Sequence, residues 1–178
     1  DMGTAVILQR MVFGNTGGHS GAGVGFTRDP GTGEPRLWVD FLANAQGEDV
    51  VSGRRNAHGH ATLAAVAPDA WKQLQASAQA LEQHFGDMQD FEFTVQDGVL
   101  HMLQTRSAKR TPLAAARIAL DLLDEGLIDS AEALHRTQAI DAAALGTVRM
   151  VASDDPDNAP APLAQANPAA LVILTGGV

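Results

Sequence analysis

The stretch Gly86–Arg110, "GDMQDFEFTVQDGVLHMLQTRSAKR", decides the fold, because apolar and polar residues alternate on both sides of a turn signal at Asp97-Gly98. Alternation with a period of two predicts a pair of antiparallel strands, each with a buried and a solvent-facing side. The polar side of the first strand carries Asp90 and Glu92, about 7 Å apart by the rise of a strand. The hairpin therefore presents two carboxylates on one face.

The register of this hairpin decides which residues lie beside the carboxylates. A two-residue turn at Asp97-Gly98 would pair Val95 with Leu100 and send Gln104 to the other face. A three-residue loop, with Gly98 at positive φ, pairs Val95 with Val99 instead. We favour the three-residue loop because it separates two chemically distinct faces. The predicted core face holds Phe91, Phe93, Val95, Val99, His101 and Leu103. The predicted outer face holds Asp90 opposite Gln104, Glu92 opposite Met102, and Leu100 and Arg106.

The outer face has the composition of a metal and phosphate site. Two carboxylates and an amide oxygen are hard ligands that suit Mg²⁺, so Asp90, Glu92 and Gln104 are candidate metal ligands. Arg106 could bind phosphate oxygens on the same metal-bound group. Leu100 and Met102 would add an apolar surface for a base. The alternative is an ordinary solvated face, since charged outer faces are common in antiparallel sheets.

The bulk composition excludes several classes of function. The chain has 178 residues, which is enough for one ordinary domain or two small ones. A net charge of −9 argues against a nucleic-acid surface. Without cysteine there are no disulfides or thiolate zinc sites. Apolar runs stay well below the ~18 residues of a membrane span, and no signal peptide is visible, so we expect a soluble, cytoplasmic protein without a membrane partner.

The pattern of elements predicts an α+β fold. Strands are expected at residues 3–13 and 36–43, with a short strand and turn in "VGFTRDPGTGE" between them. Residues 44–60 show turn chemistry without a sustained period. A helix is expected over residues 69–85, capped by Asp69 and ended by Gly86. Its apolar stripe comprises Trp71, Leu74, Ala78, Leu81 and Phe85.

Further helices are expected after the hairpin. Thr111 can cap a second helix, with Pro112 at its first position and Gly126 after its end. The predicted apolar stripe of this helix comprises Leu113, Ala116, Leu120 and Leu123. A third helix is expected near Asp129, with Glu132 placed as in a capping box. Residues 146–170 resemble a linker rich in Ala, Pro and Asp, and the apolar run "ALVIL" near the end resembles a strand.

Five phrases of the sequence closely resemble the pyruvate, phosphate dikinase family. They occur in that family's order and spacing, and the resemblance covers about residues 2–135: "MVFGN", "SGAGVGFTRDPGTGE", "LANAQGEDVVSG", "LEQHFGDMQDFEFTV" and "MLQTRSAKRT". The resemblance implies the second half of an ATP-grasp nucleotide-binding domain, with an antiparallel sheet and packed helices. It further implies residues 1–110 as the C-terminal part of that domain, 111–140 as a helical linker, and 141–178 as an Ala/Pro-rich linker and the start of a phosphohistidine-type domain.

The resemblance also implies roles for individual residues. Asp90 and Glu92 match the family's metal-binding acids, and Gln104 and Arg106 match its residues at the metal-bound phosphates. Catalytic roles are implied for Glu92, Gln104 and Arg106. The loop "NAQGEDV" lies beside the nucleotide in the family, so Asn44 and Glu48 are candidate supporting residues. A turn held by Asn44 and Gly47 is the alternative. Several loops depart from the family, including "GNTGGHSG" and "SGRRNAHGH".

The family converts ATP, phosphate and pyruvate into AMP, pyrophosphate and phosphoenolpyruvate through a phosphohistidine. The resemblance implies ATP as substrate, Mg²⁺ as cofactor, and a longer, homodimeric parent whose other domains bind pyruvate and phosphoenolpyruvate. The 178-residue chain alone is expected to be inactive, because the lysine-bearing first half and the phosphohistidine are absent from it. Alternatives are a phosphoenolpyruvate synthase or antibiotic phosphotransferase, or a non-catalytic regulatory remnant. Intact Asp90, Glu92, Gln104 and Arg106 argue against the remnant.

Overall fold

The computed structural model describes residue 6 and residues 8–51 and 58–145, which form an α+β fold, as expected. Its five strands lie in the order β3-β2-β1-β4-β5, and every neighbouring pair is antiparallel. The strands are β1 Gly21–Phe26, β2 Trp38–Ala43, β3 His58–Gly59, β4 Gln89–Gln96 and β5 Val99–Ser107. The helices are α1 Gly47–Val51, α2 His60–Val66, α3 Pro68–Phe85, α4 Pro112–Asp124 and α5 Ser130–Thr137, followed by a 3₁₀ turn at Ala142–Leu145.

The core side of the sheet is built from aromatic rings that close over a glycine-rich central strand. A Cβ on alternate residues of β1 would collide with rings of the neighbouring strands: Gly21 with Phe41, Gly23 with Phe93, and Gly25 with Phe91. Helices α2 and α3 pack against these rings with the small and branched side chains of Leu63, Ala70, Leu74 and Ala78, together with Ala67 between the two helices. The pattern "GAGVG" therefore fixes one face of the sheet as the core.

Helix α3 confirms the predicted apolar stripe only in its middle. Leu74 and Ala78 are buried, whereas Phe85 is 49% exposed. The cap differs from the prediction, because the helix begins one residue earlier with Pro68 at its first position and Ala67 as N-cap. Proline is favoured there since its missing N–H has no helical partner in any case. Gly86 ends the helix in the left-handed conformation, as predicted.

Helix α4 has the predicted cap but a different buried face. The Thr111 side chain accepts a hydrogen bond from the Ala114 N–H, and Pro112 begins the helix. The buried residues are Ala114, Ile118, Ala119 and Leu122, so the predicted stripe is wrong. The sequence "PLAAARIALDLL" is apolar on two adjacent stripes. Packing against Phe26 and Met88 selects the face one residue away from the predicted one.

A buried arginine joins the turn after β1 to the two longest helices. Arg28 is 2% exposed and donates to Glu82 of α3, at 3.0 Å from Nε, and to Glu125 after α4, at 2.8 Å from Nη2. Burial alone would lower the pKa of Arg28, but hydrogen bonds and charge from the two glutamates outweigh it and raise the pKa. A third carboxylate, Asp121, lies 3.4 Å from Nη1. Because the cation is buried and paired, its removal would leave these acids uncompensated.

Two predicted segments differ from the structure or lie outside it. The described part of the predicted strand at 3–13 forms no strand, and Val6, Leu8 and Met11 are largely exposed. A strand needs a neighbour to pair with, and none of the described strands pairs with this segment. The predicted linker and terminal strand after residue 145 lie outside the described residues. Among the described helices, none is long and apolar enough to cross a membrane.

The proposed domain boundaries stay predictions. Helix α4, assigned to the linker by resemblance, shares a core cluster with Phe26 and Met88. Asp129 caps α5 by accepting a hydrogen bond from the Glu132 N–H, as expected. The Glu132 side chain bonds Arg136 and so completes no capping box. Arg136 also donates to the Gly86 carbonyl, which ties α5 to the end of α3.

Candidate functional site

The hairpin β4–β5 brings the four predicted residues onto one face of the sheet. Asp90 lies directly opposite Arg106, and Glu92 lies directly opposite Gln104. Directly paired residues in an antiparallel sheet point to the same side, so the two pairs form adjacent rows. These four residues share a face as predicted, although their predicted partners are shifted, and the predicted neighbours Leu100 and Met102 are not on it. We call Asp90, Glu92, Gln104 and Arg106 the carboxylate face.

A turn and a bulge together produce this arrangement. Val95 pairs with Leu100, so the connection is the two-residue turn and the predicted three-residue loop is wrong. Asp97 and Gly98 have φ of 52° and 82°, the left-handed values that suit tight hairpins. Gly98 is therefore at positive φ, as expected. A bulge then shifts the register between Glu92 and Phe93, leaving Leu103 as the extra residue of β5.

The turn is fixed by contacts with the glycine-rich loop Gly14–Ser20. The Asp97 N–H donates to Ser20 Oγ at 3.0 Å, and the Gly98 N–H donates to the His19 carbonyl at 2.8 Å. The Thr16 hydroxyl donates to Asp97 Oδ1 at 3.1 Å. The Ser20 side chain is fully buried. These bonds stabilise the two-residue turn by satisfying its backbone N–H groups from a segment distant in sequence.

Four apolar or aromatic residues of this hairpin, Val99, Leu100, His101 and Met102, lie on the face opposite to the predicted one. Met102 lies opposite Phe93 and, with Leu100, packs against the core cluster beneath α3. Neither side chain can therefore offer a base-binding surface beside the carboxylates. His101 lies opposite Thr94, on the side of the sheet that carries Glu92. Val99, predicted in the core, is 54% exposed. All these differences follow from the two-residue turn, because a shift of one residue in register moves each side chain of the strand to the other face of the sheet.

An ion pair dominates the electrostatics of the carboxylate face. Arg106 Nε donates to Asp90 Oδ2 at 2.8 Å. The hydrogen bond to Asp90 raises the pKa of Arg106, and the charges of Asp90 and Glu92 add to the effect. The Asp90 side chain is 13% exposed and that of Arg106 is 61% exposed. The carboxylate is thus held in the sheet while the cation reaches into solvent.

A third carboxylate on this side of the sheet was missed in the sequence. Asp40 of β2 lies opposite Val24 of β1, which lies opposite Glu92. Asp40 therefore belongs to the row of Glu92 and Gln104, about 10 Å from Glu92 by two strand spacings. Burial raises the pKa of Asp40. The acidic residue within the apolar strand "WVDFLA" is the signal that could have identified it.

The oxygen ligands of the carboxylate face suit a Mg²⁺ ion whose coordination shell is completed by water and substrate phosphates. Within the described residues, no group of three or more His, Cys, Asp or Glu side chains could hold a metal ion by itself. Mg²⁺ in proteins is commonly bound by one or two carboxylates, with waters and substrate phosphates completing the shell. Asp90 and Glu92, with the neutral Gln104 amide opposite Glu92, match that requirement. They do not match a metal cage made of protein ligands alone.

Asn44 and Glu48 lie in the connection after β2. Asn44 has a φ of 50°, its Oδ1 accepts from the Gly17 N–H at 3.2 Å, and its own N–H donates to the Ser20 carbonyl. These bonds support the alternative of a turn residue that fixes the glycine-rich loop. Glu48 is exposed in the first turn of α1, a helix that the sequence did not indicate. A role beside a nucleotide stays a prediction for both residues.

Comparison with known proteins identifies the family. A family model described as "Pyruvate phosphate dikinase, AMP/ATP-binding domain" matches residues 1–60 and 59–126. The chain is 53% identical over 139 residues to the pyruvate, phosphate dikinase of Clostridium symbiosum, covering 78% of this chain and 16% of that protein. It is 52% identical over 136 residues to the chloroplastic enzyme of Flaveria trinervia, covering 76% and 14%. The enzyme of Rickettsia conorii is 50% identical over 141 residues, covering 76% and 16%.

The matched regions contain the carboxylate face and the glycine-rich loop. The chain spans about a sixth of the length of these curated relatives. An α+β fold with an antiparallel sheet is consistent with the second half of an ATP-grasp domain. The chain belongs to the family of pyruvate phosphate dikinase AMP/ATP-binding domains.

Proposed function

We propose that the carboxylate face is the wall of an ATP–Mg²⁺ site in a longer polypeptide with pyruvate, phosphate dikinase activity. The observation that carries this proposal is the pairing of Glu92 with Gln104 beside Asp90 and Arg106 on one face. Relatives that share about half of this sequence are named as that enzyme. The reaction is the one implied by the resemblance, in which ATP, phosphate and pyruvate yield AMP, pyrophosphate and phosphoenolpyruvate through a phosphohistidine.

Each residue of the carboxylate face has a separate role in this proposal. The carboxylates of Asp90 and Glu92 hold Mg²⁺, and the Gln104 amide oxygen adds a neutral donor opposite Glu92. Arg106 directs its guanidinium toward phosphate oxygens of ATP, for which its planar fork is suited. Bound Mg²⁺ supplies charge neutralisation to the phosphates. The side chains orient the phosphate chain and place positive charge where negative charge develops during phosphoryl transfer.

The remaining expectations about the parent protein are part of the proposal. Pyruvate and phosphoenolpyruvate would bind in other domains, which lie outside the sixth of the relatives' length that this chain spans. Homodimerisation and a cytoplasmic location are likewise proposals, and one group of relatives is named as chloroplastic. The 178-residue chain alone is expected to form no phosphoenolpyruvate.

Binding of Mg²⁺-ATP to the longer polypeptide tests the site directly. We expect Asp90→Asn to weaken Mg²⁺-ATP binding by about tenfold or more, because a metal ligand loses its charge. Glu34→Gln is a matched control, since Glu34 is exposed and only weakly paired with Arg117, at 3.8 Å. Calorimetric titration at constant ionic strength measures both variants. Equal affinities for Asp90→Asn and wild type would contradict the proposal and favour an ordinary charged surface.

A further inference from the structure

Arg106 is paired with Asp90, the carboxylate that the proposed function assigns as a metal ligand. Arg106 Nε donates to Asp90 Oδ2 at 2.8 Å, and within the described residues no other hydrogen-bond partner of Arg106 is found. The two Nη groups therefore remain available for an additional acceptor. The pKa of Arg106 is raised mainly by the hydrogen bond and charge of Asp90, and the charge of Glu92 makes a smaller contribution in the same direction.

A guanidinium and a divalent cation compete for this carboxylate. The oxygen that accepts the Nε–H bond has a lone pair engaged, and the positive charge beside it repels a second cation. This repulsion is stronger at a partly buried carboxylate than between ions in bulk water. Cation binding to Asp90 is therefore coupled to weakening or loss of the bond from Arg106.

The two side chains differ in their freedom to move. Asp90 is largely buried, on the inner strand β4, whereas Arg106 extends from β5, the edge strand of the described sheet, and is 61% exposed. A long exposed side chain can leave its partner without disturbing the core. A phosphate group offers the guanidinium a stronger, bidentate acceptor than the single bond to Asp90.

We propose that Arg106 exchanges partners during ligand binding. Without metal, its positive charge neutralises Asp90 and so reduces the repulsion between the carboxylates of Asp90 and Glu92. When a divalent cation binds Asp90, Arg106 leaves the carboxylate, and its guanidinium turns to the phosphate oxygens that accompany the cation. Arg106 thereby weakens the binding of metal alone and favours metal that arrives with phosphate. This exchange rests on the proposed function, since it requires Asp90 to be a metal ligand.

The test is Mn²⁺ binding to the 178-residue chain without nucleotide, measured by electron paramagnetic resonance of the free ion. Removing the competing cation in Arg106→Met should tighten Mn²⁺ binding by about three- to tenfold, the range expected for loss of a partly exposed charge-assisted pair. Arg106→Gln, which keeps a polar side chain, should act in the same direction. Asp90→Asn should abolish the site that Arg106→Met strengthens.

Arg36→Met is a closely matched control. Arg36 pairs with Asp29 at 3.2 Å, and their side chains are 66% and 12% exposed, against 61% and 13% for Arg106 and Asp90. The control removes the same unit of charge from a pair of the same kind away from Glu92. It should leave Mn²⁺ affinity unchanged at about 0.15 M salt, where exposed charges are screened beyond about 8 Å.

The outcomes separate the exchange from the proposed function. If Asp90→Asn removes Mn²⁺ binding but both Arg106 variants leave it unchanged or weaken it, the exchange alone is overturned. Absence of any Mn²⁺ site sensitive to Asp90→Asn, in wild type and in Arg106→Met, overturns the exchange, whereas the proposed function is overturned separately, by equal Mg²⁺-ATP affinities of wild type and Asp90→Asn in the longer polypeptide. A second readout is the Arg106 Nε–H resonance. Added Mg²⁺ should accelerate its exchange with solvent, and unchanged protection at saturating Mg²⁺ would contradict the proposal.

Discussion

Asp40 carries a carboxylate into a partly buried position in the middle of β2, on the side of the sheet that bears Glu92. Burial raises the pKa of Asp40 above the ordinary value of 3.8, so the folded state binds its proton more tightly than the unfolded state. Stability therefore falls as the pH rises from 3.8 through the folded pKa, and the cost persists above it. At neutral pH the buried charge of Asp40 therefore lowers the free energy of unfolding. Residues that destabilise the fold in this way are typical of functional sites.

The corresponding prediction concerns Asp40→Asn, which removes the charge and keeps the shape. We expect the free energy of unfolding at pH 7 to rise by about 0.5–1 kcal/mol, the lower range for relief of a buried polar group. The difference should shrink as the pH falls toward 3.8. Urea denaturation at a series of pH values measures it. Asp69→Asn, at an exposed site in the first turn of α3, should bring no gain, and a gain there equal to that at Asp40 would contradict the assignment to burial.

At the scale of elements, the hairpin shows what a pattern of residues can and cannot predict. Asp90 and Glu92 share a face in any register, because side chains two apart on a strand point the same way. The placement of β5 depends instead on the turn. The two-residue turn is stabilised by hydrogen bonds that its N–H groups donate to Ser20 and His19, which lie nearly 80 positions away. Local sequence carries no information about such contacts.

The bulge explains why part of the predicted face was right. Between the turn and the bulge, β5 is shifted by one residue from the predicted register. Leu100, His101 and Met102 therefore lie on the face opposite to the predicted one. Beyond the bulge the shift is two residues, an even number, and Gln104 and Arg106 return to the side of the carboxylates. Leu103 has no glycine or proline beside it that would indicate a bulge. Membership of the carboxylate face was therefore predictable, and its pairing was not.

The glycines of β1 give a prediction at the same scale. A Cβ on Gly25 would lie 2.6 Å from Phe91 Cζ and 2.8 Å from the Trp38 carbonyl oxygen. Because one of these atoms belongs to the backbone of β2, rotation of the ring cannot relieve both contacts. We expect Gly25→Ala to lower the free energy of unfolding by about 2–3 kcal/mol, as overpacked cores do. Chemical denaturation measures the change.

Gly47→Ala is the control for this substitution. A Cβ on Gly47 meets no atom within 4 Å, so the same added methyl group encounters no obstacle. We expect a change within about 0.5 kcal/mol of wild type, as for most substitutions at unobstructed sites. A Gly25→Ala protein as stable as the Gly47→Ala protein would show that the rings do not require a bare central strand.

At the scale of the whole molecule, the carboxylate face lies between two structural supports. Helix α4 packs on Phe26, the neighbour of Asp90 across β1 and β4. At the other end of the hairpin, the glycine-rich loop fixes the turn through Ser20. The sheet therefore holds the carboxylates between two packed elements, while the exposed side chain of Arg106 extends from the edge strand β5. Carboxylates held in place beside an exposed cation are what the proposed binding of metal and phosphate requires.

The central claim is that this rigid face is the ATP–Mg²⁺ wall of a dikinase, and two partial reactions of the longer polypeptide test it most directly. Glu92→Gln keeps the size of the side chain and removes its charge, with Glu34→Gln as the control. Phosphorylation of the enzyme by ATP and exchange between phosphoenolpyruvate and pyruvate are assayed separately. For Glu92→Gln, we expect the first to fall by about 10²–10³, the usual loss when one preorganised electrostatic contact is removed. The second should be unchanged, because it uses the phosphohistidine and another domain. An ATP-dependent rate within about threefold of wild type, far less than such a contact contributes, would contradict the metal-site assignment.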